Sequence, residues 1–306
     1  MDQTDDSSHD PWLADYDDHL QRVVGAAPAT RQRYGTTVRR FLSSCFGTGT
    51  PDWAILSVET VVDFIRQETA TKTGHGRSAP AVAVRSFLRF LAVRGVVPAG
   101  LDRAIPAIRR WRHASLPPRL STAQVDQLVA AVGAGPTARR DRAILLLLAR
   151  LGMRAGEVVR LDLDDLDWRN GLVRLPIGKG RRERVLPLPQ EVGAALADYL
   201  RHDRPAAQSR RVFLKATPTA QPFGGSAAIS RLVKRRLARA GLSLPGRIGA
   251  HLLRHTAASQ MANRGASFKD IADVLGHRSL QTTALYAKLD LDTLAGVALP
   301  WIGGTP

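Results

Sequence analysis

Apolar residues recur at helical spacing through much of the 306-residue chain, and each recurrence stops where a glycine, a proline or a capping hydroxyl marks an end. Four helices are expected in roughly the first hundred residues. They are "LADYDDHLQRVV" (13–24), "TRQRYGTTVRRFLSSCF" (30–46) behind a threonine cap, "SVETVVDFIRQE" (57–68) behind a serine, and "SAPAVAVRSFLRFLAVRG" (78–95). The last has Pro80 near its first turn and Gly95 at its stop. Periodicity then lapses through "IPAIRRWRHASLPPRLSTAQ" (105–124), where prolines and five basic residues predict a linker at 108–119. Ser121 with Gln124 three residues on is a capping box that opens the next helix.

Beyond the linker the period changes. Helices at 122–132 and 138–151 lead to "LGMRAGEVVRL" (151–161), after which residues 165–189 alternate apolar and polar around Asn170-Gly171 and Gly178–Gly180. That alternation predicts a three-stranded antiparallel meander with two tight turns. Helices resume at 189–202, 226–240, 249–264, 267–275 and 279–287, with a strand entertained at "RVFL" (211–214). The expected fold class is therefore multidomain, an all-α N-terminal domain followed by a mixed α+β domain, mainly helical with a small antiparallel three-stranded sheet. The expected boundaries are an acidic disordered leader at 1–12, a helical domain at 13–107, the linker, and a second domain at 120–306.

Charge sharpens the choice of partner. Seven acids (Asp2, Asp5, Asp6, Asp10, Asp15, Asp17 and Asp18) precede the first base, Arg22, so the net +17 of the whole chain becomes about +24 over the rest. Such a surplus repels itself unless a polyanion neutralises it, which favours nucleic acid, with an acidic membrane surface second and a merely soluble basic protein as the plain alternative. The lone Cys45 excludes an internal disulfide or a cysteine-based zinc ribbon, and the apolar run Ala143–Ala149 is too short to span a bilayer. An acidic start where a secretory signal would be basic points to a cytoplasmic location.

Several residues carry candidate chemistry. Arg154 and Glu157 stand at i and i+3, a spacing that lets the carboxylate hold the guanidinium, although surface ion pairs of this kind are common. Lys179 sits between glycines at the second hairpin tip, and its proton is transferable where an arginine's is not; it is one of only six lysines among 44 bases. "HLLRHT" (251–256) puts His251 and Arg254 on one helical face, with His255 one turn from His251. A metal is not expected there, because Leu252 stands where a zinc hydrolase has its glutamate and Arg254 would set a fixed cation beside the ion. Finally "GHRSLQTTALYAKLD" (276–290) places His277 nine residues ahead of Tyr286, which taken alone reads more readily as an ordinary half-buried aromatic on a helix capped by Ser279.

Taken together and in order, "LGMRAGEVVRL", "GKGRRERVLPLP", "HLLRHTAAS" and "LGHRSLQTTALYA" resemble the successive signature boxes of the tyrosine recombinases, the phage integrase family, in its Xer-like form. The resemblance implies that residues 13–107 form a helical core-binding domain and 120–306 a catalytic domain ending in a packing helix near 290–301. It implies a catalytic set of Arg154, Lys179, His251, Arg254, His277 and Tyr286, with Glu157 in support. The two arginines and two histidines would bind the scissile phosphate, Lys179 would protonate the leaving 5′ oxygen, and Tyr286 would attack to form a 3′-phosphotyrosyl link without metal or other cofactor. Arg31, Arg33, Tyr34, Arg40, Arg77, Arg85 and Arg181 are candidate contacts to double-stranded DNA, although the basic residues of the first helices suit a solvated bundle as well as a DNA clamp. A homo- or hetero-tetramer on two DNA sites is implied, and no membrane partner. A type IB topoisomerase, or a non-catalytic DNA-binding regulator on the same fold, would share much of this pattern.

Overall fold

The computed structural model describes residues 9–70, 78–105, 118–175, 183–245 and 248–276. The chain divides into two compact units, Met1–Arg112 and His113–Pro306.

The first unit is helical throughout its described residues: α1 (Asp10–Arg22), α2 (Pro28–Phe46), α3 (Val58–Ala70) and α4 (Ser78–Val93), with 3-10 turns at Trp53–Ile55 and Leu101–Ala104. Helix α1 begins at Asp10, so residues 10–12 of the expected disordered leader are helical. Pro11 presets the first turn, Asp10 pairs with Arg39, and the Trp12 ring packs edge-on against Trp53 at 4.9 Å. Helix α2 likewise starts at Pro28 rather than behind Thr30, since a proline suits the first turn, where its missing N–H costs nothing. Ser57 and Thr60 exchange the reciprocal hydrogen bonds of a cap at α3, as expected. Tyr16, Phe41, Phe64, Phe87 and Leu91 close the core, with Tyr16 edge-on to Phe87 and Phe41 to Phe64, both at 5.1 Å. The aspartates of α1 are partners rather than a loose tail: Asp17 pairs with Arg31, Asp15 with Arg94 and Asp18 with Arg22.

The second unit is built around α6 (Ala138–Arg150). Every residue from Ala143 to Ala149 is buried, because α6 packs against α5 (Thr122–Ala130), α7 (Ala155–Arg160), α8 (Gln190–His202) and α10 (Ala250–Asn263). A helix apolar all round needs such a jacket. Ser121 and Gln124 form the expected capping box, and the Leu120 amide donates to Thr256 Oγ1 of α10 at 3.0 Å. The sheet is antiparallel in the order β1 (Leu166–Asp167), β2 (Leu172–Leu175), β3 (Arg184–Pro187), with Val173 opposite Leu186 and Leu175 opposite Arg184. The first tight turn is present, with Gly171 at φ +65° and Asp167 accepting from the Asn170 amide. The second, at Gly178–Gly180, lies outside the described residues, as do most of the linker and the 279–287 helix. "RVFL" is not a strand: it makes two isolated bridges, Asp162 to Arg211 and Leu214 to Pro222, so its buried side chains fill the core without a ladder. Helices α9 (Ser226–Arg239) and α11 (Phe268–Leu275) are the remaining helices of the unit among the described residues.

One charged cluster lies inside this core. Asp141, 2% exposed, accepts from Arg236 Nη2 at 2.6 Å and from Arg140 Nη2 at 2.8 Å, while Arg140 also donates to the Leu214 carbonyl. The cluster ties α6 to α9 and to the 211–214 segment. Removing one partner of a buried, hydrogen-bonded pair strands the other charge in low dielectric. Asp141→Asn is therefore expected to cost about 3–5 kcal/mol, read as a fall in the urea midpoint, whereas Asp164→Asn, whose pair with Arg210 is exposed, should leave that midpoint in place.

Candidate active site

Three turns of chain build the site. After α6 the backbone reverses at Gly152 (φ +61°), and the Met153 amide donates a hydrogen bond back to the Leu147 carbonyl. This places Arg154 in extended conformation immediately before α7. Glu157, one turn into α7, reaches back: its Oε2 accepts the Arg154 amide at 2.8 Å and its Oε1 the Arg154 Nη1 at 3.0 Å. The i, i+3 contact read from the sequence is thus made twice over. His251 and Arg254 lie in the first turns of α10, and both join Arg154, Glu157, Arg160 and Ser230 in lining a cleft of roughly 490 Å³.

The arginines are held from behind by the carbonyl end of α11. Arg254, 3% exposed, donates to the Gly152 carbonyl at 2.6 Å and to the Leu275 carbonyl at 2.5 Å. Arg154 Nη2 donates to the Gly276 carbonyl at 2.7 Å. A third guanidinium, Arg184 of β3, donates to the Val274 carbonyl and pairs with Glu157 Oε1 at 2.8 Å. The last carbonyls of a helix have no partner within it and carry partial negative charge, so cations are favoured there.

Two glycines let these parts approach. A Cβ on Gly152 would lie 2.4 Å from Leu275 Cδ2, and one on Gly276 (φ +59°) 2.8 Å from Arg184 Nε. Both glycines are therefore required for space as well as for a left-handed backbone.

Electrostatics follow from burial. Burial alone would raise the Glu157 pKa, but the Arg154 amide and the charges of Arg184 and Arg154 outweigh it and hold the carboxyl below its ordinary value. His255, its ring stacked 5.5 Å from that of His251, is pushed down to about 4 by burial, then by His251 and Arg254.

Of the residues expected from sequence, the structure brings Arg154, Glu157, His251 and Arg254 together. Lys179, His277 and Tyr286 lie outside the described residues, as do Arg77 and Arg181. In the first unit Arg31 pairs with Asp17 at 3.0 Å, Arg40 with Glu68 at 3.1 Å, Arg85 donates to the Ile105 carbonyl, and Arg33 lies over the Tyr34 ring. A phosphate at these positions would share or displace partners already in place. Sequence reasoning missed Arg184 and Arg160. For Arg184 a signal existed, since strand alternation puts it on the same face as the buried Leu186 while Val185 points outward.

The sequence matches the model of the phage integrase family over residues 118–292. It is 42% identical over 296 residues to a putative integrase/recombinase, y4rF, of Sinorhizobium fredii, covering 95% of this chain and 69% of that protein. It is 30% identical to the tyrosine recombinase XerC of Thermodesulfovibrio yellowstonii, covering 94% of each. Among solved structures it is similar to the XerH site-specific recombinase bound to a palindromic difH substrate in a post-cleavage complex, with TM-score 0.70, 18% identity, and coverage of 94% of this chain and 84% of that one. It is also similar to a lambda integrase dimer bound to a COC′ core site, with TM-score 0.70, 17% identity, and coverage of 97% and 99%. At such identities the structural likeness speaks for the fold.

Two expectations test this geometry. Gly276→Ala pays the left-handed penalty of about 1–2 kcal/mol and also displaces Arg184, whereas Gly133→Ala, with φ +67° and open space around it, pays the penalty alone. The urea midpoint should fall further for Gly276→Ala. For His255, the unfolded chain binds a proton near pH 6.5 and the folded chain near 4, so stability is complete above 6.5 and declines as pH falls through that window. The loss should reach about 2 kcal/mol by pH 5, and urea titrations of His255→Gln should show that slope flattened.

Proposed function

The chain belongs to the phage integrase family, in its Xer-like branch, and from that premise we propose the following division of labour in a site-specific DNA recombinase. Residues 13–107 act as the core-binding domain and grip double-stranded DNA, while the second unit performs the chemistry. The observation that carries the reading is the convergence of Arg154, Arg254 and His251 on one cleft, with both guanidiniums braced from behind.

Such a pair suits a phosphodiester. Guanidiniums fork onto non-bridging oxygens, and held in place beforehand they stabilise the added charge of a pentavalent transition state with little reorganisation. His251 and His277 hydrogen-bond the same phosphate, and His251 helps take the phenol proton of Tyr286. The Tyr286 oxygen bonds to phosphorus, the bond to the 5′ oxygen breaks, and Lys179 supplies the proton that the departing oxygen needs. The phosphodiester is exchanged for a phosphotyrosyl ester of similar energy, so a 5′ hydroxyl from a partner strand reverses the step without a metal or a nucleotide. A tyrosine of ordinary pKa about 10 needs this cationic setting to attack as phenolate. Strand exchange pairs two DNA sites within a tetramer. The cytoplasm, where the chromosome lies, is the proposed location.

A nicked duplex that the wild-type protein enriches from a randomised pool supplies the test. Tyr286→Phe should bind it normally and form no covalent adduct; an adduct that survives removes Tyr286 from the mechanism. Wild-type protein that relaxes supercoiled DNA but never exchanges strands would favour a topoisomerase. Lys179→Arg should lose cleavage by roughly a hundred- to ten-thousandfold, since guanidinium does not give up its proton. Sulfur in place of the bridging 5′ oxygen leaves without protonation and should restore most of that loss, but none of the loss in Arg154→Ala. Equal rescue of both variants would assign the donor elsewhere.

A further inference from the structure

We propose that Arg184 is a positioning residue whose charge serves as the counter-ion of Glu157, leaving the charge of Arg154 available to DNA phosphate. The inference rests on the recombinase reading above.

Glu157 has two carboxylate oxygens and more than two claimants. Oε2 accepts the Arg154 amide, while Oε1 lies 3.0 Å from Arg154 Nη1 and 2.8 Å from Arg184 Nη2. The side chains of Glu157 and Arg184 are each 10% exposed, so water screens neither well. Without Arg184, one carboxylate would face one guanidinium, a pair close to neutral just where the cleft needs positive charge. With Arg184 the trio carries a net positive charge, and Arg154 keeps both its orientation and its field.

Position adds a second constraint. Arg184 opens β3, its guanidinium donates to the Val274 carbonyl, and its side chain closes the space beside Gly276, from which the chain runs directly into His277. The same group that balances Glu157 therefore fixes the turn whose carbonyl Arg154 uses. A lysine supplies the same charge from a compact ammonium in place of a fork, so it keeps the counter-ion and gives up part of the hold on the turn.

Single-turnover adduct formation on the selected nicked duplex separates charge from packing. Arg184→Gln should slow the adduct about 10–100-fold, the size of effect that follows loss of the outer partner orienting a metal ligand. Arg184→Lys should recover most of that loss. The deciding variant is Arg184→Gln combined with Glu157→Gln: removing both charges should return the rate toward wild type, because Arg154 is no longer neutralised. A double variant no faster than Arg184→Gln, or an Arg184→Gln protein as fast as wild type, overturns the proposal while leaving the recombinase reading intact. Wild-type protein that forms no adduct overturns both. If melting shows that Arg184→Gln does not fold, Arg184→Lys decides the matter: cleavage within a few-fold of wild type supports the charge role, and a loss as deep as that of Arg154→Ala overturns it.

Discussion

Peptide carbonyls at the end of a helix have lost their internal partners, and at the end of α11 three guanidiniums take their place. Arg184, Arg154 and Arg254 bond the carbonyls of Val274, Gly276 and Leu275 in turn. Three cations in one small volume repel one another, and what holds them is the partial negative charge of the helix end together with the Glu157 carboxylate. The rest of the domain is arranged to permit this meeting. Gly152 and Gly276 remove the side chains that would block it, α6 supports the turn at Gly152, and β3 delivers Arg184 from the side.

Much of this was legible in the chain. Helical periods, the Ser121–Gln124 box and the alternation that makes the three-stranded sheet are local signals, and local physics enforces them. The Arg154–Glu157 contact was legible for the same reason, as one turn of helix fixes it. The starts of α1 and α2 were misjudged because prolines that open a helix outweighed a threonine further in, and because Trp12 finds Trp53 some forty residues away. The 211–214 segment has the composition of a strand, yet its neighbours offer two isolated bridges in place of a ladder. Arg184 escaped notice among adjacent arginines, although the period of two already set it inward.

Net charge was a coarser guide. The surplus of bases is real, but in the first unit α1 answers several of them at close range, through Asp17 to Arg31, Asp10 to Arg39 and Asp15 to Arg94. Such exposed pairs add little stability. Their effect is rather to offset those positive charges locally, so that the field of the first unit is weaker than its count of arginines implies.

The Arg154 bond to Gly276 joins positions 122 residues apart, and the Arg254 bonds close further loops of 102 and 21 residues. Closing the two longer loops costs conformational entropy that those bonds must offset. A chain that stops ahead of α11 therefore lacks two of the carbonyls that hold Arg154 and Arg254 in place.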